Sequence, residues 1–215
     1  MGILDLYAIT DRKMLGKTSE AEAARICYEA GADVVQLRGK DMDGGLQLEQ
    51  ARLMQKAADE YNKIFIVDDR VDVAVLAHAD GVHLGQTDIP LKEARKLTGD
   101  DMIIGISVTT VEEARKAVED GADYLGVGSI FTTATKPDAK QGLGLDIIHD
   151  IKEQVGDVPL VAIGGINRGN ILDVMRAGAD GACVVSAIMN QPDLAKATHE
   201  LKTMILNDRR QHGQI

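Results

Sequence analysis

Short apolar runs and amphipathic stretches alternate along the whole chain. The first apolar run, residues 3–9, ends at Thr10-Asp11-Arg12. Ser19 and Glu22 have the spacing of a capping box, which predicts a helix through Ala30 that Gly31 ends. A second strand is expected over 33–37. A helix over 46–61 follows, with Leu46, Leu53, Met54 and Ala57 on one face. The pattern then gives a strand at 64–67, a short helix at 71–77, a strand at 81–84 and a helix at 91–97 behind Pro90. A strand at 102–107 leads to a second capping box, Thr110 and Glu113, and a helix to Glu119. Strands at 124–127, 160–163 and 182–185 alternate with helices at 145–155, after Asn167, and at 194–205. Residues 209–215 read as a frayed tail.

These are eight strand–helix units, and one domain over residues 1–208 holds them. An internal echo supports the count: AGADVVQL, HADGVHLG, DGADYLGVG and AGADGACVV. In each, a helix ends in a corner of small residues and enters the next strand, as tight returns beneath a closed parallel sheet require. The expected fold is therefore α/β, a single (β/α)8 TIM barrel, which leaves no sheet edge exposed. An open doubly wound sheet is the alternative, but no GxGxxG follows the first strand. In a barrel, functional residues sit at the C-terminal strand ends, and that sorts the candidates.

Composition narrows the reading. A length of 215 residues suits one barrel. No apolar run reaches the ~18 residues of a membrane span, and MGILDLYAITDR does not have the make-up of a signal peptide. Two cysteines, Cys27 and Cys183, lie in separate elements with no disulfide or metal-knuckle spacing, which fits a reduced, cytoplasmic setting. A formal charge of −10 disfavours nucleic acid as a partner. It leaves a phosphorylated substrate open, because such binding depends on local cations.

The densest chemistry follows the third strand, where IFIVDDR runs four apolar residues into Asp68, Asp69 and Arg70. Asp88 follows the fourth strand. Two neighbouring rim carboxylates, Asp69 and Asp88, with arginines nearby, suggest a hard cation bridging to a phosphate-bearing substrate. In an extended chain Asp68 and Asp69 face opposite ways, so one of them faces the mouth, and the other could cap the helix at 71. Asp88, or Thr87, could equally be a helix cap. Gln36, Arg38 and Lys40 are two apart and share a face at the end of strand two, which favours an anion there. Ser107 ends strand five, where it could touch substrate or bond backbone. The loop SIFTTATKPDAKQG, residues 129–142, has the length of a lid, and Thr133, Thr135 and Lys136 on it offer phosphate chemistry. Gly164-Gly165 after strand seven and Val185-Ser186 after strand eight could form a phosphate cup. His83 reads as a packed or supporting residue and His78 as a helix-end residue. No cysteine–histidine cluster suggests zinc, and no serine occupies a nucleophile elbow.

Taken in order, QLRGK at 36–40, DDRVDVA at 68–74, ADGVHLGQTD at 79–88, GISVTT at 105–110, GADYLGVGSIFTTATK at 121–136 and AIGGINRGN at 162–170 resemble the thiamine-phosphate synthase (thiamine-phosphate pyrophosphorylase) family. The resemblance implies a transferase that joins hydroxymethylpyrimidine diphosphate to hydroxyethylthiazole phosphate with Mg2+. It implies Asp69 and Asp88 as metal ligands. Gln36, Arg38, Lys40, Arg70 and Lys136 would serve the pyrimidine diphosphate, and Ser107 would lie near the pyrimidine. Thr133, Thr135, Gly165, Val185 and Ser186 would serve the thiazole phosphate. The sequence departs from the family pattern at Asp68, where asparagine is usual, at Gly39, where glutamate is common, and at Thr132, where proline is common. Asp68 would stand beside the diphosphate. A thiazole tautomerase of the same fold would carry a histidine shortly after strand five, where this chain has Ser107-Val108-Thr109-Thr110. A non-catalytic thiazole- or thiamine-phosphate binder would release no diphosphate, and another phosphate-binding barrel, an isomerase or aldolase, would want an acid or Schiff-base lysine at a strand end. Partial apolar faces on the outer helices allow a homodimer.

Overall fold

A computed structural model describes residues 4–133 and 142–213. Eight strands close into one all-parallel barrel in chain order, and the eighth pairs with the first. They are β1 Leu6–Ile9, β2 Val34–Leu37, β3 Ile64–Asp68, β4 Gly81–Leu84, β5 Ile103–Val108, β6 Tyr124–Val127, β7 Leu160–Ile163 and β8 Gly181–Val184. The helices are α1 Glu20–Glu29, α2 Gly44–Tyr61, α3 Val71–Ala77, α4 Leu91–Thr98, α5 Val111–Glu119, α6 Asp146–Val155, α7 Ile171–Arg176, α8 Ser186–Met189 and α9 Leu194–Gln211. The expected (β/α)8 barrel is thus the observed fold, and among the described residues no helix is long and apolar enough to cross a membrane.

Alternation along the strands separates two cores. Tyr7, Ile9, Val34, Ile66, Tyr124, Val161 and Cys183 fill the barrel interior. Leu6, Val35, Phe65, Val82, Ile104 and Leu125 point outward into the helix layer. Both expected caps form: Ser19 Oγ accepts from Glu22 N–H and Thr110 Oγ1 from Glu113 N–H, each at 3.1 Å.

The sequence echo has a hydrogen-bonding basis. Its four aspartates precede the even-numbered strands, and each carboxylate accepts from an N–H at the start of the preceding odd strand. Asp33 takes Leu6 N–H at 3.1 Å, Asp80 takes Phe65 N–H at 2.8 Å, and Asp123 and Asp180 take Ile104 and Leu160 N–H at 2.7 Å. These donors lie at the open lower edge of the barrel and gain an acceptor there.

Three sequence expectations need correction. On α2, Met54 and Ala57 are buried, but Leu46 and Leu53 are 48% and 46% exposed. The buried arc also takes Gln47, Gln50, Ala51, Gln55 and Ala58, so polar side chains hold positions that a purely apolar stripe would assign to leucine. Asn170, rather than Asn167, is the N-cap of α7, and the short α8 was not anticipated. The chain does not fray at Arg209, because α9 continues to Gln211 and Arg209 Nη2 forms an ion pair with Asp5 Oδ1 at 2.7 Å.

Candidate active site

At the C-terminal strand ends lies a cavity of about 360 Å3. Gln36, Arg38 and Lys40 all line it, as their shared face requires. Arg38 is held by Asp11, whose Oδ2 accepts from Nη1 at 3.1 Å, and its backbone N–H donates to Thr10 Oγ1 at 3.3 Å. Lys40 Nζ lies 3.3 Å from Asp69 Oδ2.

Asp68 and Asp69 both line the cavity, against the alternation expected of an extended chain. The reason is the backbone of Asp69, which has φ 62° and lies in the left-handed region. That conformation is uncommon for a non-glycine residue and turns the second carboxylate toward the first one's side. Asp69 N–H donates to His83 O at 2.9 Å, which ties the turn to β4.

Asp88 arrives from the loop after β4. Its Oδ2 accepts from Gly85 N–H at 2.6 Å, and its carboxyl acts on that of Asp69. Burial pushes the Asp69 carboxyl above the ordinary range, Lys40 pulls it down, and Asp88 pushes it up again. The net rise is owed first to burial, with Asp88 adding to it. Among the described residues no three Asp, Glu, His or Cys gather closely enough to hold a metal alone. A carboxylate pair still fits a hard cation that completes its shell with water and substrate phosphate oxygens.

Arg70 does not line this cavity. Its Nε and Nη2 donate to Asp72 at 2.8 and 2.6 Å, beside a neighbouring depression it shares with Lys40, Gln47, Asp68 and Asp69. Ser107 does line the cavity, with its Oγ 2.9 Å from His83 Nε2 and its carbonyl accepting from Gln86 Nε2 at 2.7 Å.

The opposite wall contains Thr133, Gly165, Val185 and Ser186. Gly165 has φ 66°, and a Cβ there would lie 2.7 Å from Phe131 Cβ. Here glycine serves the packing of the segment that follows β6. Phe131 N–H donates to Gly164 O at 3.0 Å, and Leu143 and Gly144 N–H close the loop base on Ser129 O and Ile130 O at 3.0 Å. Thr135 and Lys136 lie outside the described residues.

Cavity geometry therefore joins two cation-bearing and acidic strand ends to a glycine-lined wall, within one space. Residues 6–188 match the family model described as thiamine monophosphate synthase.

The chain belongs to the thiamine monophosphate synthase family.

Relatives support this family membership over nearly the full length. The thiamine-phosphate synthase of Methanocella arvoryzae is 45% identical over 201 residues, covering 94% of each chain. That of Coprothermobacter proteolyticus is 46% identical, covering 94% of this chain and 95% of its own. The solved thiamine phosphate pyrophosphorylase from Pyrococcus furiosus superposes with a TM-score of 0.89 at 42% identity, covering 96% of this chain and 98% of that one.

Sequence reasoning for this family member missed Asp11, Tyr7 and Tyr124. Asp11 sits two residues past the end of β1 and shows its role only through Arg38. The two tyrosines lie inside strands, where an apolar pattern counts them as core. His83, expected as a packed or supporting residue, lines the cavity and is hydrogen-bonded to both Tyr124 and Ser107.

Proposed function

We propose that this chain joins 4-amino-2-methyl-5-hydroxymethylpyrimidine diphosphate to 4-methyl-5-(2-hydroxyethyl)thiazole phosphate, giving thiamine phosphate and diphosphate. The observation that carries this reading is the Asp69–Asp88 pair beside Lys40 and Arg38, across one cavity from Gly165 and Ser186. One end suits a diphosphate and the other a monophosphate.

The pyrimidine C–O bond breaks first, and its electron pair leaves with the diphosphate. The aminopyrimidine stabilises the methylene cation left behind. The thiazole nitrogen then donates its lone pair to form the new C–N bond. No protein nucleophile is needed. Asp69 and Asp88 would hold Mg2+, which when bound would supply charge neutralisation to the leaving diphosphate.

Side chains do the rest. Arg38 and Lys40 bind diphosphate oxygens, and Asp11 orients Arg38. Arg70 reaches the same group by leaving Asp72. Ser107 and Gln36 face the pyrimidine. Thr133, Gly165, Val185 and Ser186 hold the thiazole phosphate, and Thr135 and Lys136 act from the loop. Catalysis is then leaving-group stabilisation and alignment.

The test incubates both substrates with the protein, with and without Mg2+, and measures thiamine phosphate and diphosphate. Equal amounts of both, dependent on Mg2+, are expected. Substrate binding without diphosphate release would overturn the reading.

A further inference from the structure

Five side chains form a continuous hydrogen-bonded chain across the cavity floor. Gln36 Nε2 donates to Tyr7 Oη at 2.7 Å, and the Tyr7 and Tyr124 hydroxyls are 3.0 Å apart. Tyr124 Oη lies 2.8 Å from His83 Nδ1, and His83 Nε2 lies 2.9 Å from Ser107 Oγ. Gln36, Tyr7, His83 and Ser107 line the cavity, and Gln36 and Ser107 end the chain. Both tyrosines are buried, Tyr7 1% and Tyr124 3% exposed.

Each hydroxyl has one proton, and a neutral imidazole has one donor and one acceptor nitrogen. Tyr7 accepts from Gln36, so its own proton goes to Tyr124, its one other hydrogen-bond partner among the described residues. Tyr124 then donates to His83 Nδ1. His83 carries its proton on Nε2 and donates to Ser107. The Ser107 hydrogen is left for the cavity, and Gln36 presents its carbonyl oxygen there. Flipping the Gln36 amide would reverse every bond in the chain at once. In either order one end accepts and the other donates.

The barrel interior gives up two side chains to house this chain. A Cβ at Gly105 would lie 2.1 Å from Tyr124 Cζ, and one at Gly126 would lie 2.9 Å from His83 Cε1. Burial pushes both tyrosine hydroxyls upward in pKa, so they stay protonated.

We propose that Tyr7, Tyr124 and His83 are positioning residues that fix Gln36 as the acceptor and Ser107 as the donor facing the substrate. They thereby select a ring that presents a donor to Gln36 and an acceptor to Ser107. This rests on the proposed function: an aminopyrimidine carries an amino donor and ring-nitrogen acceptors. The chain would reject a ring whose donor and acceptor are exchanged, because a buried polar group would lose its partner at each end.

The test is a double-mutant cycle with Tyr124→Phe and Ser107→Ala. Tyr124→Phe is expected to raise the KM for the pyrimidine diphosphate about tenfold and to leave that for the thiazole phosphate within about twofold. In the Ser107→Ala background it is expected to add less than about threefold. Fully multiplicative effects, or equal rises for both substrates, would overturn the proposal. Should Tyr124→Phe not fold, nitrogen-15 NMR of the wild-type histidines decides instead. A neutral His83 ring protonated at Nε2 is expected; an Nδ1–H form, a mixture of tautomers or an imidazolium at neutral pH would overturn it. Wild-type protein that makes no thiamine phosphate would overturn the proposed function, and the NMR result would still decide the order of the chain.

Discussion

Lys40 Nζ lies 3.3 Å from Asp69 Oδ2, and Asp88 crowds the same carboxyl. One cation faces two acids there. Burial makes the shortage worse, because water screens the repulsion less. The left-handed turn at Asp69 maintains the arrangement at some backbone cost, as is common where geometry serves a ligand.

Asp69→Asn should separate ligand binding from folding. Asparagine tolerates the left-handed region, so the turn survives. The folded-state pKa of Asp69 is raised, so its charge opposes folding. Stability is lost as pH rises through the ordinary carboxylate range and past that raised value. The variant should therefore melt at or above the wild-type temperature at pH 7 without divalent cation. Added Mg2+ should raise the wild-type Tm and leave the variant's unmoved. Turnover should fall about a hundredfold or more, as for loss of a leaving-group stabiliser. Calorimetry with and without Mg2+, beside steady-state kinetics, checks all three.

The barrel was legible because its strands read as short apolar runs and its helix returns repeat Gly-Ala-Asp or Ala-Asp. The rim was legible wherever charge interrupts an apolar run, as at Asp68-Asp69 and Asp88. What could not be read depends on backbone torsion or on distant partners. Asp69 escapes strand alternation through its φ of 62°. Arg70 turns to Asp72, two residues on, at an angle that spacing does not specify. Asp11 and Arg38 are 27 residues apart. Leu46 and Leu53 obey helical spacing, yet glutamines take the neighbouring buried positions, since Gln50 Oε1 accepts from Ala21 N–H and Gln55 accepts from Asp80 N–H, both at 3.1 Å.

Gly105→Ala should break the barrel interior. The added methyl would sit 2.1 Å from Tyr124 Cζ inside a closed ring of strands, where neither the backbone nor the tyrosine has room to withdraw. Overpacking of this kind costs about 1–3 kcal/mol or more. Gly45→Ala is the control, because nothing lies within 4 Å of its added Cβ and it stands in α2. It should gain about 0.5–1 kcal/mol. Urea midpoints of the two variants should move in opposite directions.

Lys202→Met should unfold the protein more easily without touching the chemistry. Lys202 Nζ lies 2.9 Å from Asp5 and 2.6 Å from Asp33, and all three side chains are buried. Both aspartates precede strands, at the barrel end opposite the cavity. Removing the cation leaves Asp5 with Arg209 alone and Asp33 with Lys63 and Leu6 N–H, so the cost stays below the ~3–5 kcal/mol of a fully stranded buried charge. For a chain this long a loss of about 1–3 kcal/mol corresponds to a Tm drop of roughly 2–12 °C. Turnover per folded molecule should be unchanged. A spared Tm would show that the ion cluster is neutral to stability, as some buried pairs are.

Asp68→Asn should improve diphosphate binding. Asp68 lines the cavity, and its charge is felt inside the barrel, where burial first and Asp68 second push the Cys183 thiol upward. A diphosphate brought to Lys40 and Arg38 meets that like charge. At a few ångströms in a partly solvated site the repulsion is on the order of 1 kcal/mol. Removing it should lower the KM for the pyrimidine diphosphate about fivefold, with the KM for the thiazole phosphate unmoved. Because the effect is electrostatic, wild type should gain on the variant as ionic strength rises. The opposite result, a higher KM together with a higher Mg2+ requirement, would mean that Asp68 helps to hold the cation. Three acids rather than two would then share the metal, and the left-handed turn at Asp69 would be the device that brings the first pair to one side.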